Sequence, residues 1–297
     1  MRRLTLATLC LLAATAASAQ SRFGILPLDP NSAERLAPIE TLKSRGAALA
    51  EAFARHVFRD PEGKRMPYRL FRPAHLEPGR TYPLVVFLHG AGGSGTDNDR
   101  QLRGANVFGA LVWTLPENQE RHPAFVLAPQ SDVNWACTIY DPKNPPQTLA
   151  DLKWCPPEAL GLGAGLAFGI IDSLLGTLPI DRSRIYVTGH SMGGAGTWHM
   201  IAHRPRFFAA AVPVCGHPLV ATAGAIKDVP VWNFHGGADE VEPVATSRVM
   251  IEALRKIGGR PRHTEYAGVG HDVFMWAYTE PALVEWLFAQ KLRARQP

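Results

Sequence analysis

Ser191 lies in Gly189-His190-Ser191-Met192-Gly193, a serine hemmed by glycines at the end of the β-branched run Ile185-Tyr186-Val187-Thr188. A serine hydroxyl is a weak nucleophile near neutral pH. It becomes effective beside a base that a third group orients. Both partners follow in the chain. Asp239 ends Phe234-His235-Gly236-Gly237-Ala238-Asp239, just past an apolar run, and His271 stands in Gly268-Val269-Gly270-His271-Asp272. Serine, acid and histidine in this order, each behind a strand, suit acyl transfer through a covalent intermediate. That chemistry needs two N–H donors for the developing oxyanion. The N–H of Met192, directly after the serine, supplies one. The glycine-rich run His89-Gly90-Ala91-Gly92-Gly93-Ser94-Gly95 supplies the other, expected from Ala91.

Position separates most of the competing residues. Asp228 precedes its strand, Asp272 adjoins the histidine, and His263 opens a strand; Glu240 and Glu242 remain close alternatives to Asp239. His89 and His190, beside the two key loops, and His217, just past a strand, are expected at the substrate pocket. The glycine-rich run lacks the Lys-Ser or Lys-Thr of a phosphate-binding loop and the spacing of a dinucleotide site. His199 and His203 share a helix face, but the glutamate of a zinc-hydrolase motif is missing. No cofactor and no metal are expected.

These residues need elements to carry them. Leu84–Leu88 and Phe125–Ala128 are continuously apolar, and mostly apolar runs follow at 185–188, 209–214 and 231–234. Such runs read as strands buried on both faces. Helix-like segments fall between or after them at 161–176, 193–203, 243–257 and 280–294. The alternation predicts an α/β fold with a mostly parallel central sheet and helices on both faces. Ahead of it, a helix over 44–55 and strands at 57–59 and 68–71 around Asp60-Pro61-Glu62-Gly63 predict an antiparallel N-terminal edge. Residues 20–64 are read as that N-terminal segment and 65–297 as the catalytic domain. Residues 131–160 break the pattern with a Pro-, Trp- and Cys-rich stretch, read as a structured excursion over the strand ends.

Residues 1–19 read as a secretory leader: Arg2 and Arg3, an apolar run to Ala17, then Ala17-Ser18-Ala19. The apolar run is short for a membrane span, so a secreted or periplasmic chain with no integral membrane segment is expected. Such a location permits a disulfide. Cys137 and Cys155, close together in the excursion, are expected to pair, leaving Cys215 free and buried. Formal charge is +5, and losing Arg2 and Arg3 lowers it by two to +3. The basic residues are scattered, which gives no nucleic-acid-binding surface.

The segments 83–98, 184–216, 231–243 and 268–278 together resemble the α/β-hydrolase superfamily. Within it they resemble secreted esterases related to polyhydroxybutyrate depolymerases and feruloyl esterases, and the prolyl-oligopeptidase-type catalytic domain. The resemblance implies Ser191 as nucleophile, Asp239 as acid, His271 as base, and Ala91 and Met192 as oxyanion donors. It also implies that Trp135 lines the pocket. The expected activity is cleavage of small-molecule or oligomeric carboxylic esters. A serine peptidase acting on small peptides, and a non-catalytic binding protein on the same fold, are the alternatives.

Overall fold

The computed structural model describes residues 24–27, 32–139 and 153–292. The leader at 1–19 and residues 140–152 of the excursion lie outside the described residues.

The core strands are β4 (Tyr82–Leu88), β5 (Phe125–Pro129), β8 (Ile180–His190), β9 (Ala210–Val214), β10 (Trp232–Gly236) and β11 (Arg262–Ala267). All seven residues of β4 are buried. Its side chains alternate between the two faces. Val85 and Phe87 enter one hydrophobic cluster and Leu84, Val86 and Leu88 the other. An uninterrupted apolar run is what a strand covered on both sides requires. Each such side chain contributes about 1.5–3 kcal/mol on burial.

One face is covered by α1 (Ala33–Glu51), α2 (Asn106–Leu111), α8 (Phe274–Tyr278) and α9 (Leu283–Phe288). The other is covered by α4 (Leu162–Thr177), α5 (Met192–His203) and α7 (Ala245–Lys256). The short helices α3 (Pro116–Arg121) and α6 (Ala223–Ile226) complete the connections. Among the described residues, no helix is long and apolar enough to cross a membrane.

The sheet has nine strands in the order β1-β11-β10-β9-β8-β4-β5-β3-β2, with β1 at Ile25–Pro27, β2 at Ala54–Arg59 and β3 at Arg65–Phe71. Strands β1 to β5 in that order pair in parallel across β11, β10, β9, β8 and β4. Strand β3 then pairs antiparallel with both β5 and β2. The expected antiparallel edge is therefore present. The opposite edge is new: Ile25–Pro27 lies beside β11, in register Ile25↔Glu265.

Two helix boundaries differ from expectation. The first helix spans Ala33–Glu51 rather than 44–55, and it carries Pro38 inside it. Its buried residues Ile39, Leu42, Gly46 and Ala50 recur at helical spacing, so packing against the core outweighs the hydrogen bond that Pro38 cannot donate. Ala54 and Arg55 join β2 because they pair with Leu70 and Arg69. At the other end, only α9 falls within the described part of the expected helix 280–294, starting after Pro281, and α8 lies ahead of that span. The described part of segment 20–64 shares the sheet and the core with the rest of the chain.

The excursion is stapled. Cys137 and Cys155 are disulfide-bonded across 18 positions, beside a two-strand ladder of β6 (Thr138–Ile139) and β7 (Lys153–Trp154). Cys215 is a free, buried thiol.

Candidate active site

The chain reverses direction across the sheet between β4 and β8, which are neighbours although β5 lies between them in sequence. A crevice opens beyond the carboxyl ends of strands at such a switch point. Ser191 follows β8 directly, and Ala91 follows β4 by three residues. Asp239 and His271 follow β10 and β11 by three and four residues. All four come to one end of the sheet.

Ser191 has φ 54° and ψ −122°, a conformation that residues with a side chain avoid. Such a conformation costs on the order of 1–3 kcal/mol and persists only where the surroundings hold it. Here the Ser191 N–H donates to the Val214 carbonyl at 3.0 Å, and the Ser191 carbonyl accepts from Ala195 N–H at 3.0 Å. Gly193 completes the tight bend, because a Cβ there would fall on the Leu88 carbonyl oxygen. The bend presents Oγ to His271, whose Nε2 is 2.8 Å away. His271 Nδ1 is 2.8 Å from Asp239 Oδ2. An ionised carboxylate only accepts, so Nδ1 carries a proton and Nε2 is free to accept one from Ser191.

Asp239 is itself held. Its Oδ1 accepts the N–H groups of Val241 at 2.9 Å and Glu242 at 2.8 Å. His235, fully buried, places Nε2 2.7 Å from the Glu242 carbonyl and 3.4 Å from Asp239 Oδ2. A carbonyl only accepts, so that nitrogen is protonated, and Nδ1 takes the Ser247 hydroxyl proton at 2.8 Å. Burial opposes ionisation of Asp239. The hydrogen bonds from His235, His271 and the Glu242 N–H outweigh it and hold the carboxyl well below its ordinary range.

The N–H groups of Ala91 and Met192 are the first of a 3₁₀ turn (Ala91–Gly93) and of α5. First-turn N–H groups have no acceptor within their own helix, and they favour negative charge. The loop carrying Ala91 is fixed from behind. His89 Nδ1 donates to the Gly90 carbonyl at 2.8 Å, and its Nε2 accepts the Ser131 N–H at 3.0 Å. Both bonds together require the neutral imidazole. Burial drives His89 down to about 4, against the opposing hydrogen bonds to Gly90 and Ser131. Asn106 Oδ1 accepts the Gly90 N–H at 3.1 Å.

A cleft of about 450 Å³ lies at this end, lined by residues 90–92, Ser191 and His271, with Val241 and Phe274 as apolar walls. His190 also touches it, though only 3 % exposed. Three other expected pocket residues sit elsewhere. His89 and Trp135 are fully buried and support the loop from beneath. Trp135 stands edge-on to the His89 ring at 4.9 Å and packs on α5 where Gly196 leaves room for it. His217 stacks on Trp154 at 5.3 Å and faces Glu242 Oε2 at 3.4 Å, joining the excursion to the acid loop.

The competing acids are engaged differently. Glu242 faces His217, Glu240 is exposed, and Asp228 pairs with Lys227. His263 bonds Asn233 through Nδ1 at 2.7 Å. His199 accepts the Gly161 N–H, and its ring lies 4.4 Å from that of His203. Cys215 Sγ lies within 4.8 Å of the Asp239 and His271 ligand atoms, which already bond one another. Two supports, His235 and Asn106, carry no sequence signal for their role. His235 sits in the run Phe234–Asp239 that ends in the acid, and Asn106 lies in a segment without any motif.

Residues 168–276 match the Phospholipase/Carboxylesterase family. A bifunctional acetylxylan esterase/xylanase of Neocallimastix patriciarum is 35 % identical over 184 residues, spanning 62 % of this chain and 23 % of that protein. An uncharacterized secreted protein of Arthroderma benhamiae is 25 % identical over 221 residues, spanning 64 % of this chain and 21 % of its own length. The chain thus spans about a quarter or less of these two relatives. The crystal structure of a thermostable esterase superposes with a TM-score of 0.73 at 42 % identity, covering 82 % of this chain and 64 % of that one.

Proposed function

As a member of the α/β-hydrolase superfamily with carboxylesterases among its relatives, this chain, we propose, is a secreted serine esterase that works through Ser191, His271 and Asp239. The observation that carries this reading is the continuous line from Ser191 Oγ through His271 to Asp239, with both contacts at 2.8 Å.

His271 Nε2 takes the Ser191 proton as Oγ attacks an ester carbonyl. The N–H groups of Ala91 and Met192 receive the oxyanion. Asp239, held ionised, steadies the imidazolium that forms. The imidazolium then protonates the leaving alcohol. Water attacks the acyl-enzyme through the same base, giving the free acid and restoring Ser191. Cleavage yields one acid and one alcohol, and the residues that carry it come from this chain.

Secretion is supported by the leader pattern, by the disulfide and by the secreted relative. Substrates on this reading are small or oligomeric carboxylic esters.

The test is a panel of p-nitrophenyl acetate, butyrate and octanoate, methyl ferulate and a chromogenic prolyl peptide, run with wild type and Ser191→Ala. Esters should be cleaved and the peptide spared. Ser191→Ala should lose about four orders of magnitude in kcat or more while staying folded. Cleavage of the peptide over the esters would move the chain to the peptidase reading. Equal turnover by the variant would remove Ser191 from its role. Silence of folded wild type on all five would leave either an ester outside the panel or a binding protein.

A further inference from the structure

The cleft beside Ser191 and His271 is also lined by Arg100 and Arg103, and none of its lining residues is acidic. The two arginines differ in what they have left to offer. Arg103 is held by two acids: Nε lies 3.0 Å from Asp99 Oδ2, and Nη2 lies 3.1 Å from Asp99 Oδ1 and 3.2 Å from Glu51 Oε1. Arg100 is engaged through Nε alone, 3.1 Å from Asp97 Oδ2. Asp97 in turn spends Oδ1 on the N–H groups of Asp99 and Arg100 and on Gln130. The two terminal nitrogens of Arg100 thus point their fork at no acceptor among the described residues.

The surrounding charges do not cancel it. Arg55, Arg69, Arg100 and Arg103 gather around only Asp97, Asp99 and Glu51. The cluster keeps one positive charge in excess, and Arg100 is its most exposed member, with both terminal nitrogens left to offer. Its place is also fixed relative to the chemistry. Asn106 accepts the Gly90 N–H with Oδ1 at 3.1 Å and donates to the Arg100 carbonyl with Nδ2 at 3.0 Å. One side chain therefore ties the turn bearing Arg100 to the loop bearing Ala91.

Resting on the esterase reading above, we infer that the preferred substrate is an ester carrying an anionic group, a carboxylate in the simplest case, and that Arg100 is the residue that selects it. A guanidinium fork matches a carboxylate with two parallel hydrogen bonds. The apolar walls Val241 and Phe274 suit the hydrocarbon between the ester and the charge. Arg100 is open to solvent, with 67 % of its side chain exposed, so the discrimination is modest and sensitive to salt.

The experiment compares two pairs of esters by proton release: monoethyl adipate against ethyl hexanoate, and butyryl glycolate against propyl butyrate. The first pair puts the carboxylate on the acid side and the second on the alcohol side. In at least one pair kcat/KM should favour the anion by about three- to tenfold at low salt. The preference should shrink in about 0.5 M salt, where screening shortens to a few ångströms. Arg100→Gln should erase it and Arg100→Glu should invert it. Arg80→Gln removes the same charge just before β4, at the opposite end of that strand, and should leave the ratio unchanged. Neutral esters favoured in both pairs, or an unchanged ratio in Arg100→Gln, would overturn the inference. Calorimetric binding of monoethyl adipate and ethyl hexanoate to Ser191→Ala, with and without Arg100→Gln, reads the anion site without turnover. It separates failure of this inference from failure of the esterase reading.

Discussion

The indole Nε1–H of Trp135 donates to the carbonyl oxygen of His89 at 2.9 Å, joining the start of the excursion to the loop that carries Ala91. Both residues are fully buried, so that bond forms without competition from water. Trp135→Phe keeps most of the packing and withdraws the donor. The variant should lose about 1–3 kcal/mol of stability. Because the Ala91 loop loosens, kcat should fall more than KM rises. Denaturant melts and ester kinetics on the same preparation check both effects. Wild-type kcat in a destabilised variant would confine Trp135 to packing.

His89 and His190 make the fold acid-sensitive. Burial lowers both, His89 to about 4 and His190 to about 3, the latter with added repulsion from His89 and His271. Their unfolded value is 6.5. Between 6.5 and about 4 the unfolded chain therefore binds protons that the native chain refuses. The stability these two contribute is complete above 6.5 and is lost as pH falls through that window. Near the middle of it each residue takes up nearly one proton on unfolding, a combined slope on the order of 3 kcal/mol per pH unit. Urea melts at a series of pH values measure the slope. His190→Phe should flatten it by about half, since a phenyl ring sits among the same neighbours, Phe87 and Phe274, without titrating.

The parallel centre of the fold was legible because burial on both faces writes uninterrupted apolar runs, as in Leu84–Leu88. Ser191, Asp239 and His271 were legible because each stands just past such a run, and the structure brings their side chains within hydrogen-bonding distance. Other features carried no local signal. Ile25–Pro27 is three residues long, and only the spatial end of the sheet makes it a strand. Only the family resemblance put Trp135 at the pocket. Its actual place depends on the room left by Gly196, sixty-one positions away. Arg100 belongs to a polar turn whose relation to the cleft is set by Asn106, a contact that no spacing rule encodes.

His235 and His271 both approach Asp239 Oδ2, and the role of His235 can be separated from mere packing. Its Nε2–H serves both the Glu242 carbonyl and Asp239. His235→Leu should remove that donor, let the Asp239 carboxyl rise toward its ordinary value and weaken its grip on His271. Ester kcat/KM should fall by about tenfold, with the acid limb of the pH–rate profile displaced upward. His235→Gln restores an N–H donor of similar reach and should recover part of the rate. A pH profile unchanged in His235→Leu would leave the residue a purely structural role.

The Cys137–Cys155 bond closes a loop over 18 positions that includes the excursion's β6–β7 ladder. Opening such a loop in the unfolded chain restores entropy worth about 3 kcal/mol. The double variant Cys137→Ser/Cys155→Ser should therefore melt several degrees lower, and reductant should lower the wild-type Tm in the same way without affecting the variant. The bond is remote in sequence from Ser191 but not in structure. Trp154, next to Cys155, stacks on His217, which faces Glu242, whose N–H bonds Asp239. The excursion should thus communicate with the acid loop. Ester turnover in the double variant should fall by about two- to fivefold even at temperatures where it is fully folded, an effect of well under 1.4 kcal/mol. Circular dichroism fixes the folded fraction, and initial rates measured beside it decide the point. Wild-type rates in the folded variant would show that the staple serves stability alone.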